Sequence, residues 1–185
     1  MEILSYVVEG ELTHRDSMGS SETLGRGAIQ FMSAGTGVRH SEHNRHPSNL
    51  LRFLQIWIQP NARGLKPQYG SRTFTEADRT NRLFHAVTGP TAAAAGVLGS
   101  PPDDRRIVIS QDANVFVSEF DPEHPQTFPL RSGRQAYLVC IEGELHVNDI
   151  KMATRDALMA AGPVDLHFAT PSRAHFLMIE MARGQ

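Results

Sequence analysis

Cysteine is almost missing from this sequence, with Cys140 the single example in 185 residues. A lone thiol excludes an internal disulfide and fits a reducing compartment, which places the expectation in the cytoplasm. Cys140 lies in the apolar run Ala136 to Ile141, the setting of a packed side chain rather than a reactive one. A basic excess is missing too: 18 Lys and Arg stand against 20 Asp and Glu, for a net charge of -2. That removes the electrostatic argument for direct contact with nucleic acid. No apolar run reaches the length of a membrane span, and no cationic stretch leads into an apolar one at the start, so no membrane attachment is expected. Long helical periodicity is also lacking. Only Thr75-Glu76-Ala77-Asp78 has the form of a helix start, with Thr75 as the cap.

What the chain does contain is short strands. Hydrophobic residues make up 40 %, enough for a core. Met1 to Val8, Leu12 to Arg15, Ala28 to Met32, Leu50 to Ile58 and Leu83 to Val87 read as strands in the first half. Ile107 to Ile109, Val115 to Phe120, Ala136 to Ile141, Leu145 to Val147, Ala157 to Met159, Val164 to Ala169 and Phe176 to Met181 do so in the second. Asp16 to Arg26, Pro60 to Gly70 and Pro122 to Gly133 read as loops or irregular segments. Thr88 to Asp104 is rich in proline and glycine around an alanine run, the composition of a linker. Many short strands separated by turn residues predict an all-β sandwich or barrel.

The halves echo each other. Tyr6-Val7-Val8-Glu9-Gly10-Glu11-Leu12 returns as Val139-Cys140-Ile141-Glu142-Gly143-Glu144-Leu145, and Arg26-Gly27-Ala28-Ile29 as Arg155-Asp156-Ala157-Leu158. Gly35 corresponds to Gly162, and five residues beyond each stands a histidine, His40 or His167. Three matches in one order indicate two copies of one β-module.

The stretch with chemistry is Gly35-Thr36-Gly37-Val38-Arg39-His40-Ser41-Glu42-His43-Asn44. Its glycines permit a tight turn. In the extended segment that follows, alternate side chains share a face. His40 and Glu42 therefore point together, and an imidazole and a carboxylate so placed suit one divalent transition metal. Two ligands do not close a site. Of the other nearby histidines, His14 could line the barrel, although a surface or hydrogen-bonded place is the usual one. His43 has the wrong parity, and His46 sits in a loop. The second copy has Ala169 where the first has Glu42, so metal chemistry is assigned to the first. His167 reads as a hydrogen-bonded core histidine, and His124, His146 and His175 have no ligand spacing. Trp57 reads as core, with the alternative that Gln55 and Trp57 point into the same barrel. Met18, Met32, Met152, Met159, Met178 and Met181 read as packing.

The segments Met1 to Gly19, Gln30 to Glu42 and Leu54-Gln55-Ile56-Trp57-Ile58 resemble the pirin family of bicupins, densely as far as Tyr69. The resemblance implies two jelly-roll cupin barrels: residues 1-88 as the N-terminal one, 89-104 as linker and 105-185 as a degenerate, metal-free C-terminal one. It also implies a metal in the first barrel, Fe(II) by analogy, held by three histidines and one glutamate. One histidine and the glutamate match His40 and Glu42, with Glu42 also the candidate catalytic group. The family's His-x-His pair lies just before the segment that Met1 to Val8 matches. The chain is therefore expected to lack two ligands and the opening strands of the first barrel, and Met1 is expected to be an internal methionine of a longer product. The implied activity is quercetin-type ring cleavage by a dioxygenase on a flavonol-like substrate, impaired in this form. Two other readings stand beside it: a non-enzymatic metal- or redox-sensing protein that binds a protein partner, and a metal-free structural remnant.

Overall fold

A computed structural model describes residues 1-90 and 105-184. The chain forms two compact units, Met1–Thr75 and Glu76–Gln185. The alanine run at 92-95 and nearly all of the 89-104 linker lie outside the described residues.

The first unit contains β1 (Glu2–Glu9), β2 (Leu12–Asp16), β3 (Ser21–Leu24), β4 (Ala28–Ser33), β5 (His40–Asn44), β6 (Arg52–Ile58) and β7 (Gln68–Thr73). They form a four-stranded sheet in the order β6-β1-β4-β7 and a three-stranded sheet in the order β3-β2-β5. Two of these strands differ from the sequence expectation. β3 falls in the segment read as a loop, because Ser21-Glu22-Thr23-Leu24 has only one apolar residue and gives no hydrophobic alternation. β7 lies at the end of the stretch read as irregular, where prolines and glycines mask a polar strand.

The second unit opens with the helical turn α1 (Glu76–Arg79). β8 (Phe84–Thr88), β9 (Ile107–Val108), β10 (Ala113–Phe120), β11 (Gln126–Leu130), β12 (Arg134–Glu142), β13 (Leu145–Val147), β14 (Ile150–Met152), β15 (Ala157–Ala161), β16 (Val164–Ala169) and β17 (Ala174–Ala182) follow. Their sheets run β15-β12-β17-β10-β8-β9 and β11-β16-β13-β14. β11 arises in a segment read as a loop, its Pro129 standing in an end strand where a missing N–H is tolerated. β8, which the sequence reading put within 1-88, pairs with β10 in the second unit.

The repeated Glu-Gly-Glu sequence has a physical cause in both copies. Gly10 and Gly143 adopt φ of 77° and 83°. A Cβ would stand 2.1 Å from the Leu50 carbonyl oxygen at the first and 2.3 Å from the Arg173 carbonyl oxygen at the second. Only glycine admits both that φ and that approach.

The cores differ. The second unit is filled by Phe116, Phe120, Phe128, Phe168 and Phe176 together with Leu130, Leu138, Leu145, Leu166 and Met178. Phe168 and Phe176 stack at 5.1 Å, and Phe120 meets Phe176 edge-on at 5.2 Å, favourable geometries for aromatic pairs. In the first unit Val7, Leu12, Leu24 and Ala28 cluster against Leu51 and Phe53, and Leu4, Tyr6, Val8, Ile29 and Met32 are buried as well.

Candidate metal centre

Strand register places the polar residues of the first unit in rows. On the four-stranded sheet, Gln55 pairs with Ser5, Ser5 with Gln30 and Gln30 with Ser71. On the three-stranded sheet, Glu42 and Glu22 both lie opposite His14. Hydrogen bonds join the rows. Glu42 Oε1 accepts from Ser5 Oγ at 2.9 Å and from Gln30 Nε2 at 2.8 Å. Glu42 Oε2 accepts from Gln55 Nε2 at 2.8 Å. Glu22 accepts from Ser71 Oγ at 2.8 Å and from the Tyr69 hydroxyl at 2.9 Å. The result is a polar belt across the unit, next to the apolar cluster.

One row farther along are Trp57, Ile3, Met32 and Tyr69 on one sheet and the His40–Asp16 pair on the other. Trp57 Nε1 donates to Gln55 Oε1 at 2.9 Å. That bond fixes the amide so that its N–H, not its carbonyl, faces Glu42. Tyr69 is pushed up from the usual phenol range by burial first, then by its bond to Glu22 and the charge of Glu22. It remains a hydroxyl donor throughout the physiological range.

His14 is wholly buried. Its ring stacks on Tyr69 at 4.3 Å and lies 5.8 Å, centroid to centroid, from His40. Its Nε2 is 3.1 Å from Asp16 Oδ2. Asp16 Oδ1 accepts the backbone N–H groups of Met18 and Ser20 at 2.8 and 3.0 Å. Burial raises the Asp16 carboxyl, but the bonds from His14, Ser20 and Met18 outweigh it and hold the group below the ordinary value.

The two residues singled out from sequence thus stand on β5 as the alternation predicts, His40 exposed and Glu42 half-buried. In kind they suit a divalent metal. In number they do not: among the described residues, no three of His, Cys, Asp and Glu are grouped to hold an ion. The donors present do not by themselves fit a closed centre.

The other histidines divide. His43 and His46 are exposed, and His46 Nδ1 accepts the backbone N–H of Asn49 at 2.9 Å. His167 corrects the core reading. It lies on the exposed face of β16, with Nδ1 3.0 Å from Thr127 Oγ1. Trp57 corrects the core reading too, at 63 % exposure, and Met18 and Met159 are exposed rather than packed. Cys140 is buried, and burial pushes its thiol up to about 11, in keeping with a packed side chain. The belt residues Ser5, Gln30 and Gln55 were not singled out as a group. Their signal is a lone polar residue inside an apolar strand, as in Ile3-Leu4-Ser5-Tyr6-Val7 and Ala28-Ile29-Gln30-Phe31-Met32.

Comparison with known proteins bears on this arrangement. Residues 1-58 match the family model Pirin, and residues 97-181 match the Quercetinase C-terminal cupin domain. The chain is 34 % identical to PA1210 of Pseudomonas aeruginosa, provisionally named a quercetin 2,3-dioxygenase, across 98 % of this chain and 74 % of that protein. It is 34 % identical to a quercetin 2,3-dioxygenase of Escherichia coli K12, across 85 % of this chain and 62 % of that protein. The crystal structure of YhhW from Escherichia coli superposes with a TM-score of 0.86 at 28 % identity, covering 100 % of this chain and 73 % of that one. A structure of the bacterial pirin YhhW in complex with nickel(II) superposes with a TM-score of 0.85. The chain therefore spans between 62 % and 74 % of the length of these proteins. Among the described residues, no helix is long and apolar enough to cross a membrane.

Proposed function

The chain belongs to the pirin family, and from that premise we propose that its first unit supplies His40 and Glu42 to the divalent-metal centre of a ring-opening dioxygenase of the quercetin 2,3-dioxygenase type. The observation that carries the reading is the pair itself, an imidazole and a carboxylate on one face of β5 with the carboxylate held by three neutral donors. The names of the relatives support a flavonol-like substrate, and the nickel-bound relative supports a divalent metal; Fe(II) is our assignment for this chain. The 89-104 segment is proposed as the link between two cupin domains, and the cytoplasm as the location.

Glu42 has two tasks in this reading. Oε1 is anchored by Ser5 and Gln30. Oε2 has only Gln55 as a donor, which leaves it the freer lone pair to take the hydroxyl proton of a bound flavonol. No step is assigned to the metal, because two donors do not retain one tightly. We accordingly propose that ring opening by this chain alone is slow.

The test is oxygen uptake with quercetin, without metal and with added Fe(II) or Ni(II), together with elemental analysis of the purified chain. Metal-stimulated uptake that disappears in Glu42→Gln supports the reading. No uptake under any metal supplementation rejects the enzymatic function. A metal-free role is favoured by one observation, that protein donors satisfy both oxygens of Glu42; stoichiometric bound metal would dismiss that alternative.

A further inference from the structure

Along β6 only two residues are exposed, Gln55 and Trp57, and they share one face of the strand. Trp57 is the single tryptophan of the chain and is 63 % exposed. An exposed apolar side chain needs no explanation in itself. This one differs in being tethered. Its Nε1 donates to Gln55 Oε1 at 2.9 Å, and Gln55 Nε2 donates to Glu42 Oε2 at 2.8 Å. One side-chain amide therefore separates the indole from the carboxylate oxygen assigned to the substrate hydroxyl.

The indole sets the direction of these bonds. Its N–H can only donate, so the amide presents its carbonyl to Trp57 and its N–H to Glu42. The ring is held in one orientation with most of its surface open, beside a half-buried carboxylate. Ser5 and Gln30 meet that carboxylate on Oε1, whereas the Gln55–Trp57 pair meets it on Oε2. The next positions in the row of Trp57 are Ile3 and Met32, both buried, so no charge of that sheet row stands next to the ring. An open π face fixed beside a hydrogen-bond acceptor suits a planar aromatic ring that bears a hydroxyl: the ring stacks, and the hydroxyl reaches the carboxylate.

We propose that Trp57 is a substrate-binding residue whose indole face stacks on the planar ring system of a flavonol, with Gln55 as the positioning residue that holds the indole at the angle Glu42 requires. The inference rests on the flavonol reading for the choice of ligand and deepens it. It makes flatness of the ligand a determinant of specificity, set by a residue that takes no part in proton transfer.

The experiment uses the full 15N-labelled chain, titrated without oxygen so that the ligand is not consumed. A single tryptophan gives a single indole N–H signal in the proton–nitrogen spectrum. Quercetin is expected to shift that signal. Gln55→Leu is expected to move it, before any ligand is added, toward the position of an indole bonded to water. Calorimetry then compares quercetin with dihydroquercetin, which keeps the hydroxyls but has a puckered central ring. Trp57→Leu is expected to weaken quercetin binding about 10-fold, the scale of a good aromatic stack, and to abolish the preference for the flat compound. Trp57→Phe, which keeps a π face, is expected to stay within about 3-fold of the parent. An indole signal unmoved by quercetin, or an equal loss of both compounds in Trp57→Leu, overturns the proposal. If a variant fails to fold, the indole signal of the unaltered chain still decides. Oxygen uptake is measured separately. A chain that stacks quercetin on Trp57 without consuming oxygen keeps this site and loses the enzymatic reading; uptake that is indifferent to Trp57→Leu does the opposite.

Discussion

The first unit carries a belt of polar side chains bonded between its two sheets, and the second carries a cluster of aromatic rings between its own. Gln55, Ser5, Gln30 and Ser71 face Glu42, His14 and Glu22 in the first. In the second, Phe116, Phe120, Phe128, Phe168 and Phe176 close the space between the sheets. One β-module therefore supports two interiors. The polar belt is joined bond by bond across its two sheets; the aromatic cluster packs ring on ring. The charged groups of the second unit serve its framework. Arg79 bonds Glu119 at 2.7 Å in a buried pair, and Arg173 joins the same carboxylate at 2.8 Å.

The comparison is tested most severely in the aromatic interior. Phe176→Ala removes a ring stacked on Phe168 and edge-on to Phe120, and is expected to cost about 3–5 kcal/mol, measured by denaturant unfolding. A loss below 1 kcal/mol would mean that the second barrel is not held by its rings.

Acid comes next. Burial first, then the Arg106 charge, lower His85 to about 4 from 6.5. A histidine kept neutral by the fold contributes stability above its unfolded value, and that stability is lost as the pH falls from about 6.5 toward 4. Burial raises Glu119, but the bonds from Arg79 and Arg173 outweigh it and bring the carboxyl to about 2 from 4.5. Its contribution is present above about 4.5 and is lost between there and about 2. Thermal unfolding followed from pH 7 to 4 should show a fall on the order of 2–3 kcal/mol, flattened in His85→Gln. An unchanged midpoint across that window would refute the assignment.

In the polar interior, Glu42→Ala strips the acceptor from buried Ser5 and Gln30. The expected destabilisation is about 1–3 kcal/mol, accompanied by the loss of any quercetin-dependent oxygen uptake. A variant as stable as the parent would show that the belt is not satisfied in the way described. The smallest effect belongs to Ala169→Glu, which restores a carboxylate at the position matching Glu42. Ala169 is exposed on β16, so the change should stay within about 0.5 kcal/mol and should confer no metal on the second unit by elemental analysis.

Much of this was legible in the residues. The alternation of β5 put His40 and Glu42 on one face, and the repeated Glu-Gly-Glu marked two copies whose glycines meet the same backbone approach. Glu22 and Tyr69 escaped notice because polar strands such as β3 and β7 have no hydrophobic period to reveal them. The core reading of Trp57 failed because apolar identity does not establish cover, whereas the alternative that placed Gln55 and Trp57 on one side agrees with their hydrogen bond. Parity says which side chains share a side, not whether anything packs on it.

The amino-acid sequence by itself determined the strand menu, the pairing of an imidazole with a carboxylate, and the family to which the chain belongs. Each is set by local spacing or residue identity. Only the tertiary structure decided that Ser5, Gln30 and Gln55 converge on Glu42, that Asp16 meets buried His14, and that fewer than three metal donors meet among the described residues. Those depend on register between strands distant in the chain, where a shift of one residue would turn every side chain to the opposite face.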